Sequence, residues 1–464
     1  MNWNELLCSD RIRSVKPKKA SADMRSEFEK DYHRIIGSAS FRRLQDKTQV
    51  FPLDKSDFIR TRLTHSLEVS SFAKSLGQYV GTKMIEENVD ANFTITDRIH
   101  ICDILECAGL LHDIGNPPFG HFGEELIRQW FAENLQKLTF QGNTLESILD
   151  EQMKEDFLNF EGNTQALRVV TKLHYLVDEH GMNLNKALLG TIIKYPVAST
   201  EINKKSGNVK DKKMGYYYAD REVFQSVITA IGTDGHRHPL TFLLEAADDI
   251  AYTTADIEDS IKKGCIRYAQ LLDALGQKFG EEHFFVTELK RRYTKAISAH
   301  NDEPDLYAVQ NWLVAIQGRA IYAAGDSFLE HYTDIMEGSY GKALLSGTYM
   351  EDIMELLGEL AYREVFQSKA ILKLEISAAT IIYGLLDQFM GAIVAYDTEE
   401  VQTKVQEKLV KLISQNYIRI YQVYAKDKTE QEKLYLRLLL VTDFICGMTD
   451  SYAKILYEEL NGNV

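Results

Sequence analysis

Helix-breaking residues are scarce in this chain, because proline occurs only 7 times in 464 residues. Proline interrupts a helix since its ring clashes with the preceding turn and it lacks an amide hydrogen. Segments such as MEDIMELLGELAYREVF (350–366) and KVQEKLVKLISQNYIRIYQVYA (404–425) repeat apolar residues at helical spacing. We therefore predict an all-α fold, and the 45% hydrophobic content is sufficient for a large core.

His112 and Asp113 are neighbours in the segment LLHDIGNPPFGHFGEE. Adjacent residues of a helix point about 100° apart, but Gly115, Pro117 and Pro118 end this helix within a few residues. Beyond a helix end, an imidazole and a carboxylate have room to converge on one metal ion. A His-Asp dipeptide also occurs without any metal, so the interpretation depends on ligands from elsewhere in the chain.

Two other helical segments supply such ligands. In RTRLTHSLEVSSFAKSLGQYV, Arg62 and His65 are three residues apart on a face that is not the apolar one, although an exposed face also explains His65. In LTFLLEAADDIAYTTADIEDSI, Asp248, Tyr252 and Asp256 recur at four-residue spacing beside an apolar face. The mixed imidazole and carboxylate set suits a divalent transition metal or Mg²⁺. Its members are His65, His112, Asp113 and Asp248.

His121 and Glu124 lie at the start of the next predicted helix, GHFGEELIRQWF. Residues three apart on a helix are neighbours on its surface. A carboxylate beside an imidazole favours the charged ring, which can then donate a proton. The same two residues are also compatible with a simple helix cap.

The chain resembles the HD-domain deoxynucleoside triphosphate triphosphohydrolases, and most closely the bacterial dGTPases. The matching motifs run from the N-terminal part of the chain to its last twenty residues. They include RIIGSASFRRLQDKTQV, RLTHSLEV, LLHDIGNPPFGHFGEE, FEGNTQALRVV, LGTIIKYPVAS, HPLTFLLEAADDIAY and LLVTDFICGMTDSYA. The resemblance implies an HD-domain helical core that hydrolyses a deoxynucleoside triphosphate, preferentially dGTP, to the deoxynucleoside and tripolyphosphate by attack of water on the α-phosphorus.

The resemblance also implies roles for the candidate residues. It assigns metal binding to the four residues above and selects Asp248 over its neighbour Asp249. It makes His121 the catalytic proton donor and Glu124 its partner. One divalent cation per subunit is expected, Mn²⁺ or Mg²⁺ in the first place, with Fe, Co, Zn or Ni also compatible.

Six residues match family positions that contact or lie near the substrate. They are Gln49, Arg62, Asn163, Lys194, Tyr252 and Asp256. The resemblance implies that Arg62, Lys194 and Tyr252 contact the triphosphate, and that Gln49 and Asp256 recognise the sugar 3′-hydroxyl and leave no room for a 2′-hydroxyl. Asn163 could instead be a buried helix cap, and an isolated Lys194 before Tyr-Pro could be solvated.

Charge is unevenly distributed along the chain, whose net charge is -15. Residues 11–62 contain 14 Lys and Arg against 7 Asp and Glu, so this segment could focus anions toward the site or form a solvated arm. Residues 201–215 contain five Lys and predict a surface loop. This Lys-rich loop could be a lid, a nucleotide effector site or a contact for single-stranded DNA, which the resembled family is known to bind.

We predict two regions. Residues 1–265 form the HD-domain core with its basic N-terminal segment, and residues 266–464 form a C-terminal helical region that supplies an outer layer and oligomer contacts. Within it, Arg437 and FICGMTDSYA are candidates for part of the nucleobase pocket. The resemblance implies a homo-oligomer, either a hexamer or a tetramer. The five scattered Cys, the lack of a signal-peptide pattern and the lack of a run of about 18 apolar residues predict a cytoplasmic protein without a membrane partner.

Other functions remain open at this point. Within the same class, the chain could be a dNTPase of broader specificity or an HD protein that hydrolyses other phosphate esters, such as cyclic dinucleotides or nucleoside monophosphates. Outside that class, it could be a non-catalytic regulator that binds nucleotides or single-stranded DNA. A regulator needs no proton-transfer pair, so His121 and Glu124 favour an enzyme.

Overall fold

The computed structural model describes residues 1–13, 23–51, 53, 58–175 and 177–463. These residues are mostly helical, which confirms the predicted all-α class. Their regular β-structure is a single antiparallel pair, β1 (Thr139–Phe140) and β2 (Asn143–Thr144).

Twelve α-helices precede residue 265 in the described part of the chain. They are α1 (Trp3–Leu6), α2 (Glu27–Ile36), α3 (Ala39–Arg43), α4 (Arg62–Glu86), α5 (Ile95–Leu111), α6 (Gly120–Asn134), α7 (Leu145–Ile148), α8 (Glu151–Leu158), α9 (Gly162–Arg168), α10 (Lys186–Ile192), α11 (Arg221–Ala230) and α12 (Pro239–Lys262).

Ten more follow in the C-terminal part. They are α13 (Tyr268–Phe279), α14 (Phe284–Ser298), α15 (Pro304–Glu330), α16 (Tyr332–Glu337), α17 (Glu351–Ala361), α18 (Lys369–Ile393), α19 (Lys404–Leu412), α20 (Gln415–Tyr424), α21 (Glu430–Cys446) and α22 (Asp450–Leu460).

Local sequence explains where the helices that carry the candidate site begin and end. Thr94 and Asp97 form a capping box at the start of α5, which satisfies two amide groups that have no helical partner. Pro239 occupies the first position of α12, where its missing amide hydrogen costs nothing. Helix α5 ends at Leu111, so His112 and Asp113 lie at a helix end, as predicted.

The apolar side chains form two clusters. The larger cluster contains the buried faces of α4, α5, α12 and α15, and the smaller one contains those of α6, α8, α18 and α21. Burial of each large aliphatic or aromatic side chain contributes roughly 1.5–3 kcal/mol, so both clusters contribute strongly to stability. Both contain residues from either side of position 265, and the division at that position stays a prediction.

One helical segment, Ile371–Ile393, is long and apolar enough by composition to cross a membrane. Half of its most apolar window is buried within the fold. It also contains Lys373, Glu375 and Asp387, and the Asp387 carboxylate accepts a hydrogen bond of 2.7 Å from the indole of Trp130. Partial burial and polar contacts of this kind are typical of a core helix in a globular fold.

Candidate metal centre and its cavity

Three helices bring the four predicted metal ligands together. His65 lies in the first turn of α4, His112 and Asp113 follow α5, and Asp248 lies in α12. Ligand atoms of His65, His112 and Asp113 lie within 4.8 Å of one another. Oδ1 of Asp248 is 3.2 Å from Nε2 of His65 and 3.4 Å from Nε2 of His112. The structure therefore gathers all four groups in one place.

The ring of His112 is oriented by the backbone. Its Nδ1 lies 2.7 Å from the carbonyl oxygen of Gly109, and since a carbonyl can only accept, Nδ1 carries the hydrogen. Nε2 then presents its lone pair toward the carboxylates, and this buried atom makes no well-aligned hydrogen bond with the described residues. A metal-binding imidazole has this arrangement, with one nitrogen fixed by a backbone acceptor and the other free for the ion.

Both carboxylates of the set are kept ionised. Burial raises the pKa of Asp113, but the Arg62 guanidinium in contact with Oδ2 and the imidazoles of His112 and His65 together outweigh it and hold that pKa below the usual range. Asn116 donates a hydrogen bond of 2.6 Å to the other oxygen. For Asp248, the Lys194 ammonium, 3.0 Å from Oδ2, and the same two imidazoles together outweigh burial and hold the pKa well below the usual range. Two imidazoles and two ionised carboxylates fit a divalent cation.

His121 and Glu124 form an ion pair at the start of α6. Nδ1 of His121 is 3.7 Å from Oε2 of Glu124, which raises the pKa of the imidazole above its ordinary value of 6.5. The His121 side chain is 76% exposed, whereas that of Glu124 is 2% exposed. Burial raises the pKa of Glu124, but His121, with Lys213 and Arg128, outweighs it and lowers that pKa below the ordinary value. No side chain caps the start of α6, so the capping interpretation of this pair is wrong.

A cavity of about 520 Å³ lies next to these groups. Its lining contains every predicted site residue except His112 and Glu124, which contact the lining residues Asp248 and His121. The volume is within the range of roughly 300–1,000 Å³ typical of small-molecule sites. The four ligands and the ion pair therefore serve one cavity.

Two lining residues present buried oxygens without a partner among the described residues. They are Oε1 of Gln49 and Oδ1 of Asp256. Burial, followed by the nearby Asp259, raises the pKa of Asp256 to about 7. Buried acceptors without a donor cost free energy, so both oxygens are suited to a ligand hydroxyl. Tyr252 also lines the cavity, and burial followed by Asp249 raises its pKa to about 12.

Asn163 is not a helix cap, because the residue that precedes α9 is Glu161. The Asn163 amide lines the cavity and donates a hydrogen bond of 2.7 Å to the Glu161 carboxylate. Lys194 is not solvated either, since its side chain is only 11% exposed and pairs with Asp248.

Sequence reasoning missed Lys213, the last lysine of the Lys-rich loop. Its ammonium is 2.8 Å from the 1%-exposed carboxylate of Glu161, and it lines the cavity, whereas Lys212 is exposed. The Lys213 side chain is itself 40% exposed, so this residue lies at the surface and lines the cavity as well. The apolar residues that follow Lys213 in the sequence could have indicated this position. Met214 and Tyr217 are fully buried, so this end of the loop packs against the core.

The C-terminal region contributes to the cavity, but not through Arg437. That side chain is buried in the smaller apolar cluster, with its guanidinium 4.9 Å from the ring centre of Phe140, and it is absent from the described cavity lining. Phe366, Ile371 and Glu375 line the cavity instead. The sequence did not predict this part of the cavity lining, because the apolar pattern of α18 is the same as that of any core helix.

Known proteins are similar to this chain over its whole length. A family model described as HD domain matches residues 62–158. A protein of Listeria monocytogenes named deoxyguanosinetriphosphate triphosphohydrolase-like is 50% identical, with 100% of both chains covered. The chain belongs to this family of HD-domain proteins.

More distant members extend the same family. A protein of Synechocystis with the same name is 32% identical over 100% of this chain and 99% of its own. One of Yersinia enterocolitica, named deoxyguanosinetriphosphate triphosphohydrolase, is 31% identical with 93% of each chain covered. Membership makes the chain an HD-family phosphohydrolase and implies a divalent metal, which the described ligand set can hold.

Proposed function

We propose that this protein hydrolyses deoxynucleoside triphosphates, preferentially dGTP, to the deoxynucleoside and inorganic tripolyphosphate. The observation that carries the proposal is the convergence of two chemistries on one cavity. A buried set of imidazoles and carboxylates lies at one side of it, and the His121 imidazole, paired with Glu124, projects into it. The names of the relatives support the choice of substrate.

We assign metal binding to His65, His112, Asp113 and Asp248, with Mn²⁺ or Mg²⁺ as the first candidates and Fe, Co, Zn or Ni as alternatives. When bound, a divalent cation supplies positive charge that neutralises phosphate oxygens and acidifies water. The chain itself keeps both carboxylates charged through Arg62 and Lys194, and it holds the His112 ring through the carbonyl of Gly109.

Triphosphate binding is assigned to cationic and hydroxyl groups of the cavity. Arg62, Lys194, Lys213 and Tyr252 line it together. Arginine offers two parallel N–H donors and lysine a compact charge, and both stabilise charge that develops on phosphoryl oxygens. Lys213 extends the set that the sequence predicted.

His121 is assigned as the general acid. Attack of a water oxygen on the α-phosphorus forms one P–O bond, and the bond between that phosphorus and the nucleoside 5′-oxygen breaks. The 5′-alkoxide is a poor leaving group, so the proton on His121 passes to it as the bond breaks. The attacking water releases a proton to solvent, and His121 takes up a proton again after the nucleoside leaves. Glu124 favours the charged imidazole that this step needs, because its carboxylate raises the pKa of His121.

Sugar recognition is assigned to Gln49 and Asp256. One of their unpaired buried oxygens can accept the hydrogen of a 3′-hydroxyl, and a site built for one hydroxyl discriminates strongly against analogues that lack it. Asn163 is assigned to the same cavity as a support of Glu161 and a neighbour of the substrate.

The proposed function also concerns the oligomeric state, the cellular location and further binding partners of the protein. We expect a homo-oligomer, either a hexamer or a tetramer, in the cytoplasm, with single-stranded DNA or a nucleotide effector as further candidate partners. Size measurement by light scattering tests the assembly directly.

Product analysis tests the activity. The purified protein is incubated with each of the four dNTPs and with GTP, in Mn²⁺ or in Mg²⁺, and the products are separated by anion exchange. Tripolyphosphate with deoxyguanosine from dGTP is the expected result, and the His121→Ala variant serves as the control for contaminating enzymes. Pyrophosphate or monophosphate as the product would reject the proposal. Equal rates on all four dNTPs favour a broad dNTPase, and nucleotide binding without turnover favours a regulator.

A further inference from the structure

Asp450, in the first turn of the C-terminal helix α22, contacts two segments that are far away in the sequence. Its carboxylate is buried and accepts hydrogen bonds from the backbone N–H of Thr48 at 2.9 Å and from the hydroxyl of the same residue. Its other oxygen accepts the backbone N–H of Phe119 at 2.9 Å. One side chain of the C-terminal region therefore joins two loops of the HD-domain core.

The first of these loops, which contains Thr48, is attached to two of the substrate-binding candidates. Thr48 directly precedes Gln49, and the carbonyl of Lys47 accepts a hydrogen bond of 3.1 Å from the backbone N–H of Arg62. Thr48 and Thr61 also form an isolated antiparallel bridge. A shift of this loop would thus move Gln49 and the beginning of α4, where Arg62 and His65 lie.

The second loop presents the proton donor. Phe119 has a φ angle of 63° and Gly120 one of 61°, and His121 follows immediately. The left-handed conformation costs a residue with a β-carbon about 1–2 kcal/mol, so Phe119 adopts it only where surrounding contacts require it. The hydrogen bond from its N–H to Asp450 is such a contact.

A second set of hydrogen bonds also joins the C-terminal region to the HD-domain core. The buried ammonium of Lys47 donates to the carbonyl of Cys446, at the end of α21, at 2.7 Å, and to the carbonyl of Asn116 at 2.5 Å. Asn116 in turn donates to Asp113. The end of α21 and the start of α22 thus hold the two loops from one side.

We propose that Asp450 is a positioning residue that fixes the loop before Gln49 and the loop before His121 relative to each other. The inference rests on the proposed function, since it assigns a catalytic consequence to this link. Asp450 then acts on the reaction through its buried carboxylate, without touching the substrate.

The test compares Asp450→Asn with Lys454→Ala. Lys454 is the control, because it is an exposed residue of the same helix whose ammonium lies 3.9 Å from Glu458 on α22 itself. Amide hydrogen exchange is followed in peptides that cover 44–50 and 117–124. In Asp450→Asn we expect faster exchange in both peptides, and wild-type exchange in Lys454→Ala.

Kinetics and metal content complete the test. Displacement of reacting groups by about 1 Å can cost on the order of 100-fold in rate, so kcat of Asp450→Asn for dGTP should fall between about tenfold and 100-fold, with bound metal unchanged. Thr48→Val removes the hydroxyl contact with Asp450 and keeps the backbone one, so exchange should increase in the 44–50 peptide alone. Thr48 itself lines the cavity, so this variant is judged by its exchange and not by its KM. This milder variant carries the test if Asp450→Asn does not fold.

The outcomes separate the two proposals. If a folded Asp450→Asn protein keeps wild-type exchange and wild-type kcat, the positioning role is wrong. If the wild-type protein itself hydrolyses no dNTP, the proposed function fails, and the exchange data still decide whether Asp450 joins the two loops. A loss of kcat in Lys454→Ala equal to that in Asp450→Asn would also overturn the inference, because it would mean that α22 acts only through general packing.

Discussion

Nε2 of His65 and Oδ1 of Asp248 lie 3.2 Å apart, although 183 residues separate them in the chain. Such a contact joins the beginning of α4 to the middle of α12. If the two side chains share a cation with His112 and Asp113, the Asp248→Ala protein should lose most of its bound metal after dialysis. Removal of a residue that only orients a metal ligand typically lowers activity by roughly 10–100-fold. The turnover of Asp248→Ala should fall by more than that.

The neighbouring carboxylate provides the control for this prediction. Asp249 lies on the same helix and lines the cavity. Among the described residues, it is not part of the candidate metal-binding group and makes no contact with His65 or His112. Asp249→Ala should therefore keep its metal content, measured by elemental analysis. Full metal content in Asp248→Ala, or equal losses in both variants, would refute the assignment of Asp248.

The position of Asp248 shows what sequence alone could predict. Helical spacing placed Asp248, Tyr252 and Asp256 on one side of α12, and the resemblance selected Asp248 from the Asp-Asp pair. Both inferences depend on local patterns. The structure brings the Asp248 carboxylate next to both imidazoles, and its assignment as a metal ligand stays a prediction. The all-α class followed for the same reason, since helical periodicity is a local property of the chain.

Contacts between distant segments could not be predicted in this way. The five lysines of the Lys-rich loop are alike in sequence, and only the fold brings Lys213 to the buried Glu161 carboxylate. Asp450 reads as an ordinary acidic residue in the first turn of a helix, where it favours the helix dipole. Its two partners, Thr48 and Phe119, become visible only when the ends of the chain meet.

Removal of the proton donor should separate chemistry from metal binding. In His121→Ala we expect kcat for dGTP to fall by about 10²–10⁴-fold, the usual contribution of general acid catalysis, while metal content stays at the wild-type value. Steady-state kinetics and elemental analysis of the same preparation check both parts. His33→Ala, which removes an exposed imidazole on α2, is the control. Wild-type kcat in His121→Ala would mean that another group protonates the leaving oxygen.

The pH dependence of kcat should reveal the His121–Glu124 pair. The pKa of His121 is raised above 6.5, so the protonated donor is fully present below that value and is lost as pH rises through the raised pKa. We expect kcat to decline on the alkaline side, above pH 6.5. In Glu124→Gln the carboxylate charge is gone, and the alkaline decline should move to lower pH, toward 6.5.

The comparison of these two profiles isolates the pair from other titrating groups. Asp256 has a pKa raised to about 7 and is present in both proteins, so its contribution does not shift between them. Identical alkaline limbs in wild type and Glu124→Gln would show that the carboxylate does not control the protonation of His121.

Recognition of the 3′-hydroxyl gives a prediction with a substrate analogue. The wild-type protein should prefer dGTP over 2′,3′-dideoxy-GTP by at least about 100-fold in kcat/KM, because the buried oxygens of Gln49 and Asp256 lose their donor in the analogue. Gln49→Ala should lower kcat/KM for dGTP and narrow this ratio. Gln129→Ala, an exposed change on α6, should leave the ratio as it is. A ratio that stays constant in Gln49→Ala would remove this residue from sugar recognition.

Lys213 and Lys212 allow a test of whether the Lys-rich loop acts through one residue or through its overall charge. Lys213 lines the cavity with its ammonium 2.8 Å from Glu161, and Lys212 is exposed. A charge-assisted hydrogen bond contributes about 1.5–3 kcal/mol, so Lys213→Ala should raise KM for dGTP by at least about tenfold. Lys212→Ala removes the same charge one residue away and should change KM less than about twofold at physiological salt, where exposed charges are screened beyond about 8 Å. Equal increases in KM for both variants, abolished by added salt, would instead indicate that the loop attracts the anion through its general field.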